Sequence, residues 1–147
     1  MSNSHEIGIL NTLIATTLDS VKGFREAGED TTGTHAQFFS EMANERSRVA
    51  SEMQSRVREL GGDPEDESST AGALHRGFLN LKEAITGKDE QAIINEVERG
   101  EDYIKTKFDA AMKDDELMPE TRGLLQKCYE SIRKGHDRAS AMKHANT

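Results

Sequence analysis

Tryptophan is absent from this chain, and aromatic residues of all kinds make up only 5% of it. That leaves few rings for stacking nucleic-acid bases and few for the face of a packed sheet. Only two prolines occur, Pro64 and Pro119, so long stretches carry no helix breaker. The single cysteine, Cys128, excludes an intramolecular disulfide and any cysteine-based metal cluster within one chain. It falls on an apolar helical stripe, where cysteine behaves as a small buried hydrophobe. No apolar run approaches the ~18 residues of a membrane span, and no charged segment followed by an apolar one opens the chain. The expectation is a cytoplasmic protein that does not engage a membrane.

What is present is charge and period. Charged residues are 31% of 147, with both signs interspersed, and the modest hydrophobic content recurs at helical spacing. This composition predicts one all-α domain over residues 1–147, long enough to bury a core. The net charge is −8, unevenly spread: residues 122–147 hold six Lys/Arg against two Asp/Glu. A basic tail for nucleic acid is one reading. The other is a basic helix lying beside an acidic one, its cations favoured near the helix C-terminus. The acidic remainder would repel phosphate, and no aromatics interleave the basic residues, so no nucleic-acid partner is expected.

Four long helices and one short one can be drawn. The first spans about 4–27, with Ser4 as N-cap and Gly28 as its stop; Leu10, Leu13, Ile14, Thr17, Leu18, Val21 and Phe24 form its stripe. The second begins at Thr34, where Gln37 suggests a capping box, and stops at Gly61-Gly62. Phe38, Met42, Val49, Met53 and Leu60 mark its apolar face. A short helix over 69–86 carries Leu74, Phe78, Leu81 and Ile85. The third long helix spans 90–113 with Ile93, Ile94, Val97, Ile104, Phe108 and Ala111 inward. The fourth starts at Pro119, a favoured first-turn residue, and presents Leu124, Leu125, Cys128, Ile132, Gly135, Ala139 and Met142. Short turns make the first and last pairs antiparallel hairpins. Nearly thirty residues separate the second and third long helices, enough to travel the length of a helix about 37 Å long. The predicted fold is a ferritin-like four-helix bundle with a long crossover containing a short extra helix. An up-down arrangement of five helices is the alternative.

In that topology the second and third helices run parallel, which sets Glu45 and Arg46 level with Glu101. This middle layer is where a ferritin-like bundle holds two metals, using a Glu from each of two helices and Glu-x-x-His from each of the other two. Paired hard cations need several carboxylates for charge balance and an imidazole each. The sequence scores poorly against that demand. Arg48 follows Glu45 by three residues, where a histidine is needed. Glu130 is followed by Arg133 and points away from its stripe, Asp19 falls on the outer face, and His136 is about a turn from the layer. Three readings of Glu101 remain: a buried pair with Arg46, an edge position reaching solvent beside Lys105, or metal ligation with Glu45 and His136. A buried charge needs a partner, and Arg46 lies nearer the centre of its stripe than Glu45.

Other chemistry is missing. The acids at 63–67 and 114–116 lack the spacing of a calcium loop and read as solvated turns. His5, His35 and His144 lie near helix ends, and His75 beside the short helix reads as a packed or surface residue. No phosphate-binding or nucleophile-elbow motif occurs.

Several strings resemble a bacterial family of stand-alone ferritin-like four-helix-bundle proteins of unknown function. They are Leu10-Asn11-Thr12-Leu13-Ile14 and Gly23-Phe24-Arg25-Glu26-Ala27, then Glu45-Arg46, Leu74-His75-Arg76-Gly77 and His136-Asp137. The most distinctive is Glu96-Val97-Glu98-Arg99-Gly100-Glu101-Asp102. The resemblance implies a ferritin-like fold, a bacterial cytoplasmic setting and a link to stress responses, with no established enzyme activity. The expected function is therefore non-enzymatic, through self-association, a homodimer for example, or through a protein partner, and without a cofactor. Two alternatives stand beside it: a degenerate iron or manganese site at Glu45, Glu101 and His136, and a DNA-protecting protein, which the net charge disfavours.

Overall fold

The computed structural model describes residues 3–29, 34–66, 83–87 and 90–145. Secondary structure among these residues is entirely helical: α1 (Ser4–Glu29), α2 (Thr34–Glu59), α3 (Glu90–Met112) and α4 (Pro119–Ala145). Residues 83–86 form one further helical turn. The rest of the short helix expected over 69–86 lies outside the described residues.

Local chemistry sets the helix ends. The Asn3 carbonyl accepts the Ile7 N–H at 2.9 Å, so Asn3, one residue before the expected Ser4, is the cap of α1. The Asn3 side chain donates to the Leu60 carbonyl at 3.1 Å, which ties this end to the close of α2. Gly28 does not end α1. The helix continues to Glu29, and a Cβ at Gly28 would be in ordinary contact with Phe39 of α2 at 3.6 Å. The Gln37 amide donates forward to Glu41 at 3.2 Å; the Thr34 side chain of the expected capping box lies outside the described residues.

The end of α2 is a Schellman motif. Gly62 N–H bonds to the Val57 carbonyl and Gly61 N–H to that of Arg58, with Gly61 at φ +84°. Pro119 is the first residue of α4, since Arg122 N–H already reaches the Met118 carbonyl at 2.9 Å. Glu6 of α1 caps this helix from outside, accepting Met118 N–H at 2.6 Å and the Thr121 hydroxyl at 2.8 Å.

Side-chain pairs fix the helix directions. Along α2 and α4 the contacts run Arg56–Thr121, Glu52–Lys127, Glu45–Ser131, Glu41–Arg138, so these helices are antiparallel. His136–Asp102, Lys105–Tyr129 and Arg122–Met112 make α3 and α4 antiparallel. Asn3–Leu60, Ser20–Arg46 and Phe24–Phe39 do the same for α1 and α2. It follows that α2 and α3 run parallel. The contacts α1–α2, α2–α4, α4–α3 and α3–α1 close a ring that leaves α2 and α3 on a diagonal. The connection between residues 60 and 90 therefore joins opposite ends of the helix array. Its last turn puts Ile85 among Phe38, Ile93 and Val97, at the end where α3 begins.

The interior holds two apolar clusters. One centres on Leu10, Leu13, Ile14, Val49, Met53, Ile104, Phe108, Leu125, Cys128 and Ile132. The other centres on Phe24, Phe38, Phe39, Met42, Val97 and Ala139, with Phe24 stacked on Phe39 at 6.0 Å. Each fully buried large aliphatic or phenyl side chain contributes about 1.5–3 kcal/mol, so these clusters dominate the fold's stability. Leu18, Leu60, Ala111 and Leu124, expected inward, are only partly buried at the margin. Asp19, expected on the outer face, is 6% exposed and engaged in contacts. Segment 63–66 packs along the flank of α1 at Asn11, which bonds the backbone of Asp63 and Glu65.

Candidate functional site

Between the two apolar clusters lies one polar layer, to which every long helix contributes. Each member falls within the heptad rhythm of its helix. Ser20 lies between Ile14 and Phe24, Arg46 between Met42 and Val49, Glu101 between Val97 and Ile104, and Gly135 between Ile132 and Ala139. The helical period turns all four inward.

Arg46 is 0% and Glu101 1% exposed. The Arg46 Nη2 donates to Glu101 Oε2 across the diagonal from α2 to α3. Nη1 donates to the Ser20 hydroxyl of α1 at 3.1 Å. The guanidinium carbon lies 6.0 Å from the centre of the Phe24 ring. Gly135 of α4 makes the layer possible. A Cβ there would stand 2.6 Å from Arg46 Nη2, 2.7 Å from the Met42 methyl and 3.3 Å from Glu101 Oε2. Arg46 Nε has no hydrogen-bond partner among the described residues. Thr17, one turn along, is fully buried and returns its hydroxyl to the Leu13 carbonyl at 2.7 Å.

The residues weighed for a metal are not brought together. Glu45 turns to the α2–α4 surface, where it accepts the Ser131 hydroxyl at 2.6 Å and pairs with Arg48. Its carboxyl is held below the usual range, first by the Ser131 hydrogen bond. His136 Nε2 meets Asp102 at 2.5 Å. Glu101 has Arg46. Lys105, the alternative neighbour for Glu101, turns instead to Asp109 at 3.5 Å and to the Tyr129 ring. A pair of dications needs carboxylates from several helices. This layer offers one carboxylate, already matched by a fixed cation, with a serine and a glycine from the flanking helices. The donor set does not fit a dinuclear metal.

Among the described residues, the possible ligands that do converge are His5, Asp114 and Glu116, all at the surface. His5 Nε2 lies 2.8 Å from Asp114 and 3.4 Å from Glu116. The hydrogen bond to Asp114 raises the His5 pKa, and Asp114 is lowered by the Glu116 backbone N–H and by His5. Cys128 is desolvated, and burial first and Glu52 second push its thiol up to about 12. It is a packing residue with negligible thiolate at neutral pH. The basic α4 lies along α2, whose acids and bases balance, and pairs with its glutamates: Lys127 meets Glu52 at 3.2 Å and Arg138 meets Glu41 at 2.8 Å.

Three polar features escaped the sequence. The buried network of Glu6, Thr121 and Arg56 joins three helix ends, with Arg56 Nε donating to Thr121 at 2.8 Å. Its only trace is a carboxylate in the first turn of α1. Ser20 gives a weak signal, a small hydroxyl at an inward position between Thr17 and Phe24. Gly135 gives a better one, a glycine on the stripe of a helix facing a buried arginine.

The fold and layer define an all-helical domain whose centre is closed by an ion pair. The profile of a domain of unknown function (DUF2383) matches residues 5–114, three quarters of the chain, and the protein belongs to that family. The match takes in Ser20, Arg46 and Glu101 and stops before α4. No curated protein matches the chain.

Proposed function

We propose that this protein is a ferritin-like four-helix bundle in which the metal position is filled by an arginine, and that it acts without metal or catalysis. The supporting observation is the Arg46–Glu101 pair at the level where a ferritin-like bundle would hold its ions, with Ser20 and Gly135 on the flanking helices. A second fixed charge is not needed to hold these helices. Buried ion pairs add little net stability over apolar packing, and their best-attested use is to specify one arrangement of elements. The pair on the α2–α3 diagonal, between two otherwise interchangeable apolar clusters, selects this register of the helices.

With the interior committed to packing, activity falls to the outer faces, through self-association, a homodimer first, or through a protein partner. No helix among the described residues is long and apolar enough to cross a membrane. A bacterial cytoplasmic setting and a stress-associated role follow from the family resemblance and are part of the proposal. The test is elemental analysis after dialysis against iron or manganese and a chelator wash, with the mass in solution measured in parallel. Substoichiometric metal and a dimer mass are expected. Stoichiometric metal lost in Glu101→Ala would overturn the reading.

A further inference from the structure

The groove between α2 and α4 is a cavity of about 600 Å³, within the range of small-molecule sites, and its floor is the ion-pair layer. Arg46, Arg48, Lys134 and Arg138 line it, with Glu41 and Glu45. Arg48 is matched by Glu45 and Arg138 by Glu41. Arg46 has Glu101 behind it. Lys134, exposed at the rim, makes no ion pair among the described residues. The groove therefore carries one uncompensated positive charge.

It also carries one uncompensated buried donor. Arg46 is wholly buried, yet its Nε–H has no acceptor among the described residues. An unmade hydrogen bond from a buried charged group is costly, and native structures rarely leave one. Arg46, Met42 and Gly135 line the groove together, and methionine is the side chain that most readily turns aside.

We propose that this groove binds a small monoanionic carboxylate. One oxygen accepts Arg46 Nε–H after the Met42 methyl moves, and the other meets the Lys134 ammonium. The single negative charge matches the groove's single excess positive charge. This site does not depend on the ferritin-like reading, since a ligand at the surface groove is compatible with any role of the outer faces.

Acetate is the probe, titrated at constant ionic strength into the full chain, with the Arg46 Nε–H resonance and the amides of 41–48 and 131–138 followed by NMR. Saturable shifts at these signals are expected. Lys134→Gln, a surface change that leaves the fold intact, should weaken binding roughly tenfold, the value of one charge-assisted hydrogen bond. Lys127→Gln, on the same helix but outside the groove, should leave it unchanged. A linear response, an unmoved Arg46 signal or equal affinity in Lys134→Gln overturns the site. Equal loss in Lys127→Gln reduces it to diffuse charge and overturns it as well. Tighter binding of inorganic phosphate overturns the assignment of a carboxylate.

Discussion

Gly135 and Arg46 occupy one space: a methyl group on the glycine would stand 2.6 Å from the guanidinium Nη2. Two effects then compete in Gly135→Ala. Alanine gains up to about 1 kcal/mol of helix propensity, while overpacking costs about 1–3 kcal/mol. The clash is with the end of a long side chain, which ordinarily yields. Here that end is held by Ser20 and Glu101, so overpacking wins. We expect a net loss of roughly 1–2 kcal/mol in denaturant unfolding. Gly123→Ala, in the same helix with open space around it, should gain up to about 1 kcal/mol. Equal effects at the two sites would refute the steric account.

The ion pair should show strong coupling. Arg46→Met leaves a carboxylate buried without its partner and should cost about 3–5 kcal/mol. Replacing both, as Arg46→Met with Glu101→Met, should recover most of that loss, because apolar residues of similar volume join the clusters on either side. A double-mutant cycle by urea unfolding measures this. Additive losses would mean that the two charges are stabilised independently.

Much of this layer could be read in advance, for a geometric reason. Arg46 and Glu101 each interrupt an apolar stripe at a position the helical period turns inward, and a long crossover makes their helices parallel. Register alone then sets them level. Ser20 and Gly135 were harder, because a hydroxyl or a missing side chain gains meaning only from what stands opposite. The Glu6–Thr121–Arg56 network was illegible, since it joins residues more than fifty positions apart at helix ends, where no periodicity applies. Asp19 misled for a related reason: it is buried although the amphipathic pattern of α1 turns it away from the stripe, and that pattern registers only the helix's own periodicity.

Glu6 is the anchor of that end network. Glu6→Ala removes the acceptor for Met118 N–H and the Thr121 hydroxyl, and with it the outside cap of α4. A loss of about 1–3 kcal/mol is expected, with amide exchange accelerating first at Met118 and at residues 120–122. Unchanged exchange there would assign the cap elsewhere.

The contact of His5 with Asp114 is pH-dependent in a fixed sense. The His5 pKa is raised above its ordinary 6.5, chiefly by the hydrogen bond to Asp114, so its contribution is complete below 6.5 and fades as pH rises through the folded value. The Asp114 carboxyl is lowered from 3.8, so its contribution is complete above 3.8 and is lost as pH falls through the folded value. Both groups are exposed, and the stability effect is small. An NMR titration should give His5 a midpoint above 6.5 that drops in Asp114→Asn. A midpoint unaffected by that substitution would break the assignment.

Cys128 should resist alkylation in the native protein at neutral pH and react only on unfolding, because burial raises its thiol to about 12. Rapid native labelling would place it outside the core.

The most direct measurement of what fills the centre is paramagnetic broadening by manganese(II), whose effect falls steeply with distance from the ion. Titration into the ¹⁵N-labelled chain should broaden signals only near exposed carboxylates. Resonances of Ser20, Arg46, Glu101 and Gly135 should stay sharp, because a guanidinium already holds the layer. Selective, saturable broadening of these four would place a metal beside Glu101 and contradict the arginine-filled centre.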